Sequence, residues 1–139
     1  MSAKAQRFIV VSLGDTDSSG YDQLALPVLL HLADSHAPDH RVFTHTGVVA
    51  HFRTSKKKLE VVRHLVAEAE ALRTHDPRFA ELKIGIAEGK LVGDFDRRGR
   101  LKGDGVGLIG DAIVEAVREE KKPGAWREKL ELVAESLHA

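Results

Sequence analysis

Glu81-Leu82-Lys83-Ile84-Gly85-Ile86-Ala87 is the stretch that decides the fold of this chain. Leu82, Ile84 and Ile86 recur at every second position, and a period of two puts side chains on one face of a strand. The stretch predicts a strand with these three residues turned toward a core. Immediately upstream the period changes. Leu59, Val62, Leu65, Val66, Ala69 and Leu72 are spaced three and four apart, with Lys, Arg and Glu elsewhere, the stripe of an amphipathic helix. Thr54-Ser55 offers its N-cap, and Asp76-Pro77 stops it.

Further upstream, residues 40–46 and 47–53 predict a hairpin with Val42, Phe43, Val48, Val49 and Phe52 as its apolar residues and Gly47 near the turn. Ala37-Pro38-Asp39 separates it from a helix that ends about Ser35. There Leu24, Val28, Leu29 and Leu32 share a face. Pro27 is awkward in a helix interior, so either the helix starts near Leu26 with Pro27 in its first turn or it kinks. Residues 7–13, short and β-branched, predict a buried first strand, closed by the turn chemistry of Gly14 to Gly20. Downstream of the opening stretch, Leu91-Val92-Gly93 suggests another short strand, and Asp94 to Gly105 is polar and Gly-rich. A helix follows from about Asp111 to Glu120, ended by Lys121-Lys122-Pro123-Gly124. The last helix covers about Trp126 to Leu137, with Trp126, Leu130, Val133 and Leu137 on one face. The order is βαββαβ and then helices. It predicts an α+β fold, a ferredoxin-like sandwich with an antiparallel sheet covered on one face by helices. No repeat or long linker divides residues 1–139, so a single domain is expected.

Composition narrows the function classes. Lys plus Arg number 21 and Asp plus Glu number 21, so zero net charge gives no pull toward nucleic acid or an anionic membrane. The absence of cysteine excludes a disulfide scaffold, a thiolate metal site and a cysteine nucleophile. No apolar run approaches the roughly 18 residues of a membrane span, and the first residues lack the apolar core of a signal peptide. A cytoplasmic location is the expectation.

Two segments carry a family resemblance. Leu82-Lys83-Ile84-Gly85-Ile86-Ala87-Glu88-Gly89-Lys90-Leu91-Val92-Gly93 resembles a stretch of class III nucleotidyl (adenylyl and guanylyl) cyclase domains: an Ile-Gly-Ile strand, a Gly, a short apolar run and a further Gly. Gly110-Asp111-Ala112-Ile113-Val114-Glu115-Ala116-Val117-Arg118 is similar to that family's Gly-Asp-x-Val-Asn-x-Ala-x-Arg. The first strand, ending in Asp15, resembles the Phe-x-Asp metal motif, and the hairpin ending in Ala50-His51-Phe52 resembles the second metal-site hairpin. The likeness spans about residues 8 to 118 and implies a shortened, divergent cyclase domain. It also implies two aspartates holding two divalent cations, Mg²⁺ or Mn²⁺, that activate a ribose hydroxyl and bind a triphosphate. An Asn and an Arg on the late helix would position ribose and stabilise the transition state, and the active site would form across a dimer.

The chain departs from that pattern at several positions. Asp15 stands at the first metal aspartate, with Asp17 as a substitute. Alignment on Phe52 puts Thr46 where the second aspartate belongs, and Thr lacks the charge that carboxylates give to Mg²⁺. Val114 occupies the Asn position and cannot hydrogen-bond a ribose. Arg118 keeps the Arg position. Where the family continues into strands bearing a phosphate-binding Lys, this chain turns at Pro123-Gly124 and adds one helix. The resemblance therefore implies the fold more than the activity. It points to a non-catalytic module that pairs with itself or a partner signalling protein, or senses a nucleotide, in bacterial signalling or defence. The alternative is a minimal metal-dependent nucleotidyl cyclase or other phosphoryl-transfer enzyme, with Asp15 and Asp17 sharing the metals and Arg118 as its catalytic residue. A third alternative is a purely structural, oligomerising domain.

Other constellations carry less. Gly105-Val106-Gly107-Leu108-Ile109-Gly110 has the letters of a dinucleotide fingerprint, but no convincing strand precedes it and no second parallel strand follows. Its glycines, Gly105, Gly107 and Gly110, still open a helix whose free N–H groups, with Arg118, suit a phosphate. Arg97, Arg98, Arg100 and Lys102 beside this loop, and Lys56-Lys57-Lys58 at a helix start, read foremost as solvated surface. Asp15 and Asp17 with Ser18 and Ser19 suit either one weakly held cation or turn and cap chemistry. His40, His45 and His51 fall on or near one hairpin, with His45 and His51 placed to approach across it, too few converging ligands for zinc.

Overall fold

The computed structural model describes residues 4–15, 25–43, 47–98 and 110–138, the side chains of Lys4, Asp15 and Ala25 excepted. Four strands form one antiparallel sheet: β1 (Lys4–Asp15), β2 (His40–Phe43), β3 (Gly47–Arg53) and β4 (Leu82–Gly93), in the spatial order β2-β3-β1-β4. The helices are α1 (Ala25–Asp34), α2 (Lys56–His75), α3 (Asp111–Glu119) and α4 (Ala125–His138), with a 3₁₀ turn at Pro77–Phe79. This is the α+β sandwich that the βαββαβ order predicts. Among the described residues no helix is long and apolar enough to cross a membrane.

Local chemistry sets the boundaries. α1 begins at Ala25, so Pro27 sits in the first turn, where no intrahelical N–H is needed. Ser55 caps α2 by accepting a hydrogen bond from the Lys58 N–H at 3.0 Å. Asp76 ends α2 and caps the 3₁₀ turn through the Arg78 N–H. β1 runs past the predicted 7–13 because Gly14 and Asp15 stay paired with Lys83 and Leu82. β4 is one continuous strand where two were expected. Gly89 costs little there because it lies in the ladder opposite Phe8, on the face where α3 approaches.

The two faces of the sheet hold separate cores. Ile9, Val11, Leu13, Val48, Ala50, Phe52, Leu82, Ile84 and Ile86 meet Leu29 and Ala33 of α1, the α2 stripe, and Leu130 and Val133 of α4. Leu59, Val62, Leu65, Val66 and Ala69 are buried as their spacing predicts. The alternate residues Phe8, Val10, Val49, Ala87 and Leu91 form a second cluster with Ala112 and Ala116 of α3 and with Phe95, whose ring stacks on Phe8 at 6.0 Å. Thus α1, α2 and α4 pack on one face, and α3 crosses the other at the β4 edge. Beyond β4 the chain passes over this second face, and the Arg53 guanidinium donates to the Arg98 carbonyl at 3.2 Å.

Candidate functional site

The site is built where α3 crosses the β4 edge of the sheet. Close approach is possible because β4 offers Gly85, where a Cβ would collide with the Ala116 carbonyl oxygen, and Gly89, where it would lie 3.4 Å from the Ala112 methyl. Gly110 caps α3 with extended backbone. A Cβ on it would lie 2.5 Å from Leu91 Cδ2 and 2.8 Å from the Lys90 carbonyl oxygen, so the glycine is needed for packing.

At its far end, α3 is anchored by a buried polar pair. Glu120 is 5% exposed and Ser12 1%. The Ser12 hydroxyl donates to Glu120 Oε1 at 2.5 Å. Burial pushes the Glu120 carboxyl above the usual carboxylate range, opposed by the Ser12 hydrogen bond and the charge of Lys83. Gly14 leaves the room: a Cβ there would stand 2.8 Å from either carboxylate oxygen. Sequence reasoning passed over this pair, placing Glu120 only at a helix end. A single hydroxyl residue, Ser12, inside an otherwise apolar buried strand was the available signal.

The outward face of α3 carries Asp111, Val114, Glu115 and Arg118, which with Glu119 and Lys122 line a depression of about 510 Å³. Val114 is 57% exposed. Arg118 is exposed and makes no ion pair among the described residues. Glu115 and Glu119 are tied to Lys129 of α4 at 3.1 and 3.6 Å, which fixes α3 against α4 across the β4 edge.

Of the residues singled out from the sequence, Asp15 falls at the last paired position of β1, opposite Leu82. The preceding residue, Gly14, pairs with Gly47, which brings the end of β1 beside the start of β3. Asp17, Thr46, Gly105, Gly107, Arg100 and Lys102 lie outside the described residues. Among the described residues no three His, Asp or Glu side chains converge into a metal-binding group.

The expected approach of His45 to His51 lies outside the described residues. Register puts His51 opposite His40, with rings 5.5 Å apart. His51 is fully buried. Its Nδ1 lies 3.3 Å from the His40 carbonyl oxygen, and among the described residues its Nε2 and that of His40 have no hydrogen-bond partner. A carbonyl only accepts, so Nδ1 carries the hydrogen and Nε2 is bare. Burial lowers the His51 imidazole to about 4.

The sheet order, α3 on its free face and the glycine-set approach define a domain of cyclase-like fold. Comparison with solved structures agrees. Two structures of a bacterial light-regulated adenylyl cyclase match with TM-scores of 0.58 and 0.56 at 15% identity, each over 87% of this chain and 41% of theirs. The guanylyl cyclase domain of the RhoGC fusion protein from the aquatic fungus Blastocladiella emersonii matches with a TM-score of 0.54 at 17% identity, over 88% of this chain and 77% of that one. The chain spans less than half the length of the bacterial structures, and at these identities the likeness is one of fold. No protein-family model and no curated protein matches the chain.

Proposed function

We propose that this chain is a non-catalytic module of cyclase-like fold that associates through the outward face of α3, with a second copy of itself as the partner. One observation carries the reading: Val114 stands 57% exposed in the middle of that face. The resemblance places there the Asn that would hold a ribose, and an exposed isopropyl group offers nothing to a hydroxyl. It does suit apolar contact. The Glu115–Lys129 bridge leads from it to α4, where Leu132 is 53% exposed. The likeness to adenylyl and guanylyl cyclase domains supports this surface as the one to test.

A minimal nucleotidyl cyclase is the second reading, favoured by the uncommitted Arg118 guanidinium one turn on and by Asp15 at its strand end. Two measurements decide. Purified protein is incubated with ATP, GTP, CTP and UTP, with Mg²⁺ or Mn²⁺, and its melting and products are followed. Sedimentation over a range of concentrations then compares it with Val114→Asp. The module reading expects no cyclic product and a self-association that Val114→Asp weakens. A cyclic product overturns it in favour of the enzyme, and a monomer at every concentration overturns the self-pairing.

A further inference from the structure

The end of α2, the start of β4 and the turn between α3 and α4 border a half-open cavity of about 360 Å³. That lies within the roughly 300–1,000 Å³ of small-molecule sites. It is separate from the outward face of α3, so this inference and the proposed function stand or fall apart.

The wall chemistry is specific. Trp126, in the first turn of α4, supplies an indole ring, with the Arg127 guanidinium 4.4 Å from its centroid. Arg73 donates through Nε and a terminal nitrogen to Glu70 at 3.3 and 3.0 Å, and Arg127 approaches the same carboxylate at 3.8 Å. One carboxylate is thus shared by two guanidinium groups, each with five donors, and most of those donors remain to spare. Lys83 lines the cavity half-buried and makes no ion pair among the described residues. Of the remaining carboxyls, Glu81 is exposed, and Glu120 feels the Lys83 charge but is buried with one oxygen bonded to Ser12. The cavity therefore joins an aromatic wall to many cationic hydrogen-bond donors.

We propose that this cavity binds a small aromatic anion, a carboxylate or a phosphate ester, with its ring against Trp126 and its charge on Lys83, Arg73 and Arg127. Recognition would combine ring contact with charge-assisted hydrogen bonds in a partly desolvated site.

Trp126 is the single tryptophan of the chain, so tryptophan fluorescence comes from the wall of this cavity. The probes are 4-nitrobenzoate and 4-nitrophenyl phosphate, with neutral 4-nitrobenzyl alcohol as the uncharged counterpart and free N-acetyltryptophanamide for absorbance correction. The proposal expects saturable quenching by at least one anion, and the anion that saturates identifies carboxylate or phosphate. The alcohol should bind about tenfold or more weakly, and Lys83→Met should weaken the anion by a similar factor, the loss of one charge-assisted contact. Lys90→Met, exposed farther along the same strand, should bind as the parent does. Circular dichroism confirms that Lys83→Met is folded; if it is not, Arg127→Gln replaces it. Quenching that rises linearly for all three probes, or an anion affinity unchanged in the folded variant, overturns the proposal.

Discussion

Acidification should unfold this protein through one histidine, and the size of the effect follows from where His51 lies. The ring is fully buried, on β3 opposite His40 of β2. A proton could be added only at Nε2, where no acceptor stands among the described residues, so the charged ring would be both desolvated and unpaired. The imidazole accordingly sits at about 4 when folded, against the ordinary 6.5. A depressed value means that the unfolded chain takes up the proton first. Stability is complete above the ordinary value and is lost as pH falls toward the folded value. Between pH 7.5 and pH 5 the loss from His51 is about 2 kcal/mol, and by pH 4 about 3 kcal/mol. His40, also lowered by burial and by Arg41, adds in the same direction. Urea denaturation at pH 7.5, 6, 5 and 4 of the parent and His51→Leu measures the term by difference, so that groups common to both cancel. The variant should start less stable at pH 7.5, since the Nδ1 hydrogen bond is gone, yet lose about 2 kcal/mol less on the way to pH 5. Parallel pH profiles for the two proteins would refute the assignment.

Two further outcomes test the anchoring of α3. Glu120 has the opposite sign from His51: its folded value is raised, so its stability is present below the usual carboxylate range and drains away as pH rises through the folded value. Glu120→Gln keeps an acceptor for the Ser12 hydroxyl without the buried charge, so on going from pH 5 to pH 8 it should gain more stability than the parent, whose His51 gain is offset by the Glu120 loss; melting profiles of the two proteins that run parallel contradict this. Gly85→Ala forces a methyl into the Ala116 carbonyl, which only backbone movement can relieve. Its cost should be about 1–3 kcal/mol, read as a drop of several degrees in Tm, and an unchanged Tm would mean that α3 does not sit this close.

The candidate site shows where local pattern stops being informative. Arg118 and Val114 were legible because a helix with a fixed period presents them together, whatever it packs on. Glu120 was not, because a carboxylate beside Glu119 at a helix end looks solvated until Ser12, over a hundred positions earlier, is brought beneath it. The histidines show the same limit on a smaller scale. Their hairpin was legible, but facing pairs depend on register, which shifts every partner when the turn moves by one residue.

By itself the sequence determined the elements and their order. Alternation at Leu82, Ile84 and Ile86, the stripe from Leu59 to Ala69, the Ser55 cap and the Pro27 and Pro77 boundaries are short-range effects of backbone geometry and capping, settled within a few residues. Only the tertiary structure decided that α3 crosses the face away from the other helices, that Gly85 and Gly14 are the spaces into which its backbone and the Glu120 carboxyl fit, and that Trp126, Lys83 and Arg73 share one cavity. Those facts depend on which distant surfaces come into contact, and contact across the chain is fixed by the packing of the whole sheet and its two cores.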